Sequence, residues 1–237
     1  PSVMAFSDSP LHLTGQQWDN ILSQFALFQN WSPTDLDELL RQGELVTFEP
    51  DELVCEQNTV HSDVFFLIQG LMNATMQTGE GTRPFAFGYI KAGSCIGLPA
   101  LAGQTLLNAT VHAVHPSQCW KISTDLLETA MDRHPQAWKT CAQQIALGVA
   151  HLLDYIEMLA QPDGYTKLRR LLEKMDEMAR ECPAFPPAPI TQRDLGERIG
   201  LSREMVNRMM RALRQGGYIE VDEFGRIRVT KPLPRRF

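Results

Sequence analysis

The sequence predicts an α+β chain with its strands in the first half and most of its helices in the second. Three observations carry that expectation. Between residues 44 and 122 the apolar residues fall in short β-type runs separated by turn residues, the spacing of a small barrel, roll or sandwich. From 135 to 161 they recur at alternating spacings of three and four with no breaker, the mark of one long helix. Beyond 190, two short capped helices and a pair of β runs follow each other closely.

At 237 residues, 43% hydrophobic and 21% charged, the chain has the make-up of a globular protein of one or two domains. General disorder, collagen and coiled-coil rods are excluded. No window holds the ~18 consecutive apolar residues of a membrane span, and no signal peptide is visible at the start. The cysteines, Cys55, Cys95, Cys119, Cys141 and Cys182, are odd in number and scattered without a CxxC pair. That pattern points to reduced thiols in a cytoplasm and away from a disulfide frame, a zinc ribbon or a cysteine-ligated cluster. A soluble cytoplasmic protein is expected.

The net charge of −6 hides an asymmetry. Residues 1–161 carry 6 Lys and Arg against 17 Asp and Glu, a net −11, whereas residues 162–237 carry 16 against 11, a net +5. Residues 190–237 alone hold 11 basic residues, ten of them arginine, against 6 acids. Only the back of the chain is suited to meet a polyanion.

Thr14 caps a first helix along Ile21, Leu22, Phe25 and Phe28, and Ser32-Pro33-Thr34 opens a second with Leu36, Leu39 and Leu40 as its stripe. The β runs are Leu45–Phe48, Leu53–Cys55, Val64–Ile68, Leu71–Met76, Phe85–Ile90, Thr110–Val114 and Cys119–Ile122. Pro50-Asp51, Gln57-Asn58, Gly79-Glu80-Gly81 and Lys91-Ala92-Gly93 mark turns between them. After His134-Pro135, a heptad seam of Trp138, Cys141, Ile145, Gly148, Leu152, Tyr155 and Leu159 runs along a helix roughly 37 Å long at 1.5 Å per residue. Its length, and Gly148 where two backbones can approach closely, predict a parallel dimer seam rather than a buried core helix. Pro162-Asp163-Gly164 is an expected hinge, and a helix along Leu168, Leu171, Leu172, Met175 and Met178 follows it. The prolines between Cys182 and Pro189 then form a stiff connection. The expected domains are 1–134, 135–161 and 162–237.

Thr191 with Asp194 three residues on reads as a capping box, and the helix it opens ends at Gly200. Ser202 caps a second helix to about Gln215, which Gly216-Gly217 stops, so the pair reads as a helix-turn-helix. At 100° per residue from Arg203, the side chains of Arg203, Arg214, Asn207, Arg211, Glu204 and Arg208 lie within 0–140°. Ala212, Met205, Met209, Leu213, Val206 and Met210 lie within 180–340°. One face packs on a core, and the other offers Arg, Glu and Asn, side chains that pair with guanine, cytosine and adenine edges. Tyr218–Val221, a turn at Asp222–Gly225 and Arg226–Val229 form a β-hairpin wing, with Arg226 and Arg228 on one face and within reach of phosphate.

Ile190-Thr191-Gln192-Arg193-Asp194-Leu195-Gly196 and Gly200-Leu201-Ser202-Arg203-Glu204-Met205-Val206-Asn207-Arg208 resemble the winged helix-turn-helix of the Crp–Fnr bacterial transcription regulators. The resemblance extends over almost the whole chain. It implies an effector-type β-roll (a jelly roll of the cyclic-nucleotide-binding kind), a long dimerisation helix and a DNA-binding domain. The Arg-Glu-x-x-x-Arg of Arg203, Glu204 and Arg208 is most similar to the cyclic-AMP receptor protein branch. In Fnr-type helices an apolar residue usually matches Arg203 and a Ser matches Asn207. By this resemblance Arg203, Glu204 and Arg208 read bases and Ser202 meets phosphate; the polar face of the helix adds Asn207 to the base readers, and Arg211, Arg226 and Arg228 are expected at phosphate. The implied partners are double-stranded DNA, a second copy of the chain and RNA polymerase.

The sensor part departs from that pattern. Relatives that bind cyclic nucleotides hold the phosphate with Gly-Glu-Leu and, further on, Arg-Ser-Ala. Here the matching stretches read Gly97-Leu98-Pro99 and Leu107-Asn108-Ala109, and the Thr-Ser pair that touches adenine is matched by Leu152-Leu153. The arginine for the phosphate is gone, and neutralising a buried phosphate without it is costly. A pocket at Gly97, Leu98, Leu107, Asn108, Leu152 and Leu153 is therefore expected to be filled by its own side chains, or to suit an apolar or planar effector other than cyclic AMP.

His112 and His115 lie three apart ahead of Pro116, on a predicted strand that would point them to opposite faces. His151, beside Leu152, is the best haem-ligand candidate, and a haem- or redox-responsive regulator is an alternative reading. The haem-binding carbon monoxide sensors of the family carry Cys-x-His where this chain has Ile96-Gly97-Leu98, so no metal or cofactor is expected. Cys95 and Cys141 are read as small core residues rather than redox sensors. GxSxG, Walker, GxGxxG and HExxH patterns are missing, and His12, His61 and the scattered carboxylates build no nucleophile–base pair, so no enzyme is expected. A ligand- or protein-binding sensor or scaffold without specific DNA binding is the reading from another class.

Overall fold

The structure, a computed structural model, describes residues 21–77, 79, 85–103, 106–181, 190–223 and 225–236. The cap expected at Thr14, His12, Cys182 with the proline-rich connection, and most of the turn at Gly79-Glu80-Gly81 lie outside them. The chain divides into two compact units, Pro1–Val149 and Ala150–Phe237.

The described strands of the first unit are β1 (Glu44–Phe48), β2 (Leu53–Cys55), β3 (Asp63–Gln69), β4 (Leu71–Met76), β5 (Phe85–Lys91), β6 (Cys95–Ile96), β7 (Thr110–Ala113) and β8 (Ser117–Ser123). They form two antiparallel four-stranded sheets, ordered β1-β8-β3-β6 and β2-β7-β4-β5. Each expected β run is a strand, and β6, at two residues, was too short to show a period. Left-handed residues close three of the expected turns: Asp51 (φ 67°), Asn58 (φ 62°) and Gly93 (φ 89°). Asn, Asp and Gly tolerate that region best.

Strand β3 is buried on both faces. Val64 and Phe66 join Leu22, Phe25, Phe28, Trp120 and Ile122 in one apolar cluster. Phe65 and Leu67 join Cys55, Met72, Val111 and Cys119 in a second, which packs the space between the sheets with the chain's own side chains. A strand covered on both sides needs a continuous apolar run, and Val64–Ile68 is one.

Helix α1 (Pro33–Leu40) starts where expected, with Ser32 Oγ accepting the Asp35 amide at 3.1 Å. The helix expected along Ile21–Phe28 does not run through. Phe25 is extended (φ −88°, ψ 124°) and Ala26–Phe28 is a single 3₁₀ turn. On a continuous helix Leu27 would sit about 200° round from Phe25. Breaking the helix lets Phe25, Leu27 and Phe28 all be buried. Helix α2 (Thr124–Asp132), which the sequence reading missed, is capped by Ser123 and buries Leu127, Ala130 and Met131.

Helix α3 (Pro135–Ala160) runs unbroken for 26 residues, and α4 (Gly164–Glu181) follows with Asp163 Oδ2 accepting the Thr166 amide at 2.8 Å. The seam expected on α3 is corrected by burial. Cys141 is 3% exposed in the first unit's core, with Trp138 and Ile145 packed against it. Tyr155 and Leu159 pack against the second unit's core, beside the buried Met158. An apolar-rich helix carries more than one line at spacings of three and four, and the chain's own cores take the line through Cys141 and Tyr155. Leu147, Val149, Leu152, Leu153 and Ile156 are left exposed. No helix among the described residues is long and apolar enough to cross a membrane.

Candidate nucleic-acid interface

In the second unit, α5 (Gln192–Ile199) opens on the expected capping box. Thr191 Oγ1 accepts the Asp194 amide at 3.1 Å, and Asp194 Oδ2 accepts the Thr191 amide at 3.0 Å. Gly200, left-handed at φ 68°, ends the helix, and the Leu201 amide donates back to the Gly196 carbonyl at 2.9 Å. Ser202 Oγ then accepts the Met205 amide at 3.2 Å and starts α6 (Arg203–Gln215). Two caps and one glycine thus set a tight turn between the helices.

Helix α6 sorts its side chains as the angular reading predicts. Val206, Met209, Met210 and Leu213 are buried with Leu168, Leu172, Leu195 and Ile199. Arg203, Glu204, Arg208, Arg211 and Arg214 are exposed, and Asn207 is half-buried. Met205 departs from its expected core place, at 39% exposed. Arg203, Arg208, Arg211 and Arg214 have no ion pair among the described residues. Elsewhere in the unit Arg169 pairs with Glu173, Arg170 with Glu157 and Arg193 with Glu197, at 3.2, 3.1 and 2.7 Å. These four guanidinium groups on α6 are therefore not neutralised by an ion pair among the described residues.

Strands β9 (Ile219–Val221) and β10 (Ile227–Val229) make the wing, with Arg228 opposite Glu220. Arg228 is exposed. Arg226 immediately precedes β10 and is half-buried, with its guanidinium 3.9 Å from Asp222. Asp222 Oδ1 closes the turn by accepting the Arg226 amide at 2.8 Å, and so keeps Arg226 beside it.

Within the first unit, the residues expected to line an effector pocket have different surroundings. Gly97 (φ 94°) heads a 3₁₀ turn, and a Cβ there would stand 2.6 Å from the Asp63 carbonyl oxygen. Leu98 packs in the cluster of Phe25 and Trp120, Leu107 packs against the inter-sheet cluster, and Asn108 is exposed. Leu152 and Leu153, in the second unit, are 49% and 59% exposed.

His151 is exposed on α3 and His112 lies on β7. No group of three or more His, Cys, Asp and Glu suited to a metal ion occurs among the described residues. Burial pushes the Cys95 and Cys119 thiols up to about 12 and Cys55 to about 11. They are protonated at neutral pH and poor nucleophiles. Sequence reasoning gave Gly196 no role, although a glycine inside an eight-residue helix costs about 1 kcal/mol against alanine and so signals a close approach.

The sequence model of the cyclic nucleotide-binding domain matches residues 45–134, and that of the Crp-like helix-turn-helix domain matches residues 167–232. No curated protein matches the chain. Among solved structures, the c-di-GMP responsive global regulator CLP of Xanthomonas campestris superposes with a TM-score of 0.68 at 15% identity, over 84% of this chain and 100% of that one. FixK2 from Bradyrhizobium japonicum gives 0.63 at 16% identity, over 80% and 93%. A protein of Eubacterium rectale, described as a transcriptional regulator of the crp/fnr family, gives 0.67 at 14%, over 89% and 95%. Likeness at such identities is likeness of fold, and the two domain matches add the family. The chain belongs to the Crp–Fnr family and is a DNA-binding transcription regulator.

Proposed function

We propose that the protein acts as a homodimer that reads an inverted-repeat DNA site through α6, under the control of a small effector other than cyclic AMP. The observation that carries this reading is the exposed face of Arg203, Glu204, Arg208, Arg211 and Arg214 on α6, with Asn207 half-buried beside it, opposite a face whose Val206, Met209, Met210 and Leu213 are taken up by the core. Arg208 donates to guanine O6 and N7, Glu204 accepts from cytosine N4 and Asn207 suits adenine. Ser202, Arg211, Arg226 and Arg228 meet phosphate, Arg226 after parting from Asp222. Exposed Val149, Leu152 and Ile156 lie within about 60° on α3 and supply an apolar line for a second copy. A two-fold dimer presents its reading helices about 34–36 Å apart, so the target is an inverted repeat. The family resemblance favours a TGTGA-like half-site, and RNA polymerase as a further partner.

The effector differs from cyclic AMP because the cassette at Gly97-Leu98-Pro99 and Leu107-Asn108-Ala109 offers no charge to a phosphate. The test of the DNA reading is a binding series over single-base variants at fixed salt. Arg208→Ala is expected to cost ~1–3 kcal/mol per half-site and to relax discrimination at one guanine. Equal weakening on specific and random DNA overturns the base-reading role. A wild-type protein with no sequence preference favours the sensor or scaffold reading instead.

A further inference from the structure

The end of α3 lies in the second unit, where Tyr155, Met158 and Leu159 share one face at spacings of three and four. Met158 is 3% exposed in the core that also holds α4, α5 and α6, and Tyr155 and Leu159 pack against that core. Tyr155 adds polar contacts to this packing. Its phenol donates to the Arg198 carbonyl at 3.3 Å, and the Lys174 ammonium stands 5.8 Å from its ring centroid. Beside it, Glu157 pairs with Arg170 of α4 at 3.1 Å.

Arg198 is among the last four residues of α5, whose carbonyls find no amide partner within the helix. In the same turn, the Gly196 carbonyl accepts from the amides of Gly200 and Leu201. The phenol serves the Arg198 carbonyl from outside α5, at the helix end that leads through Gly200 into α6. Burial pushes this phenol up to about 12, so it stays a donor at neutral pH. The end of α3 thus bears directly on the turn that presents α6.

We infer that Tyr155 is a positioning residue for DNA reading: its bond to the Arg198 carbonyl pins the reading head of α5, α6 and the wing to the end of α3. The aim of α6 is then set by the long helix, and Pro162-Asp163-Gly164, expected from the sequence as a hinge, is bridged rather than free. This role rests on the homodimer and inverted-repeat reading above and goes further, because it names the contact that fixes the distance between two reading helices. Heads pinned to paired helices accept one half-site spacing, whereas heads free to swing accept several.

The experiment measures the full chain on the inverted repeat at its best spacing, on the same half-sites about one or two base pairs closer or further apart, and on a single half-site. Tyr155→Phe keeps the ring, its packing and the Lys174 contact, and removes the phenol donor. It should lower the preference for the best spacing by about two- to fivefold, within the worth of one hydrogen bond. Its affinity for the single half-site should stay at the wild-type value. A loss of folded protein scales all the duplexes alike and leaves the spacing preference unchanged, so a merely structural role does not reproduce this result. The inference is overturned if Tyr155→Phe keeps the wild-type spacing preference, or if it weakens the single half-site as much as the inverted repeat. A wild-type protein that binds the inverted repeat no better than one half-site removes the homodimer reading itself, a result distinct from either.

Discussion

The carbonyl oxygen of Leu201 stands 2.5 Å from the place where a Cβ on Gly196 would be. The turn that leads into α6 therefore packs its backbone directly against the backbone of α5. Helix propensity alone would make Gly196→Ala stabilising by about 1 kcal/mol. The close approach reverses the sign. A net loss of about 1–3 kcal/mol is expected in urea unfolding, together with weaker DNA binding. A stabilised variant would show that the turn has room to spare.

Ser202 caps α6 through the Met205 amide. Ser202→Ala should lose about 1 kcal/mol in the same unfolding experiment, while Ser202→Asp should keep the cap and the stability. On DNA the order changes, because the aspartate brings a negative charge to a residue assigned to phosphate. Wild-type affinity in Ser202→Asp would remove Ser202 from the interface.

Asp163 accepts from the Thr166 hydroxyl, the Thr166 amide and the Tyr165 amide, at 2.7, 2.8 and 3.3 Å. The Thr166 hydroxyl, followed by these amides, holds its carboxyl below the ordinary value of 3.8. A depressed native value contributes stability above the unfolded value, and that stability is lost as pH falls through the native one. Thermal unfolding between about pH 5 and pH 3 should therefore fall less steeply in Asp163→Asn, which caps without titrating. Identical slopes would mean that the cap is not linked to protonation.

Leu152 and Ile156 are 49% and 59% exposed. A charge there should change the stability of the single chain by no more than about 0.5 kcal/mol. If the pair faces a second copy, Leu152→Asp or Ile156→Asp should run as a monomer in light scattering and lose inverted-repeat binding. Cys141→Asp should instead unfold the first unit, because it buries an unpaired charge in that unit's core. A dimeric Leu152→Asp would move the interface elsewhere.

Titration calorimetry with cyclic AMP at millimolar concentration should show no heat of binding. The cassette provides neither the arginine nor the carboxylate that its relatives use. A dissociation constant in the low micromolar range would contradict this.

The reading head was legible almost residue by residue, because caps and left-handed glycines are local. Thr191 with Asp194, Gly200 and Ser202 each solve a hydrogen-bonding or backbone problem within four residues. What failed depended on distant neighbours. Whether Cys141 or Val149 faces outward is decided by strands and helices far along the chain, and spacing alone gives both a place on a line. Phe25 broke its helix for a similar reason, since Leu27 and Phe28 had to reach the same core. Helix α2 had a local signal in Ser123, Leu127, Ala130 and Met131, but its nine residues lie directly between β8 and the long helix, whose stronger patterns mask it.

Burial of β3 on both faces has a consequence for synthesis on the ribosome. Val64-Phe65-Phe66-Leu67-Ile68 is an uncharged, β-prone run, preceded by the single acid Asp63. Its main partner, β8, begins at Ser117. At about 5–20 residues per second the strand waits several seconds, unpaired, for that partner to leave the exit tunnel. During that interval nascent chains on neighbouring ribosomes offer each other the same sticky edge. Yield of the soluble regulator should therefore depend on translation speed and on holding chaperones more than on the stability of the finished fold.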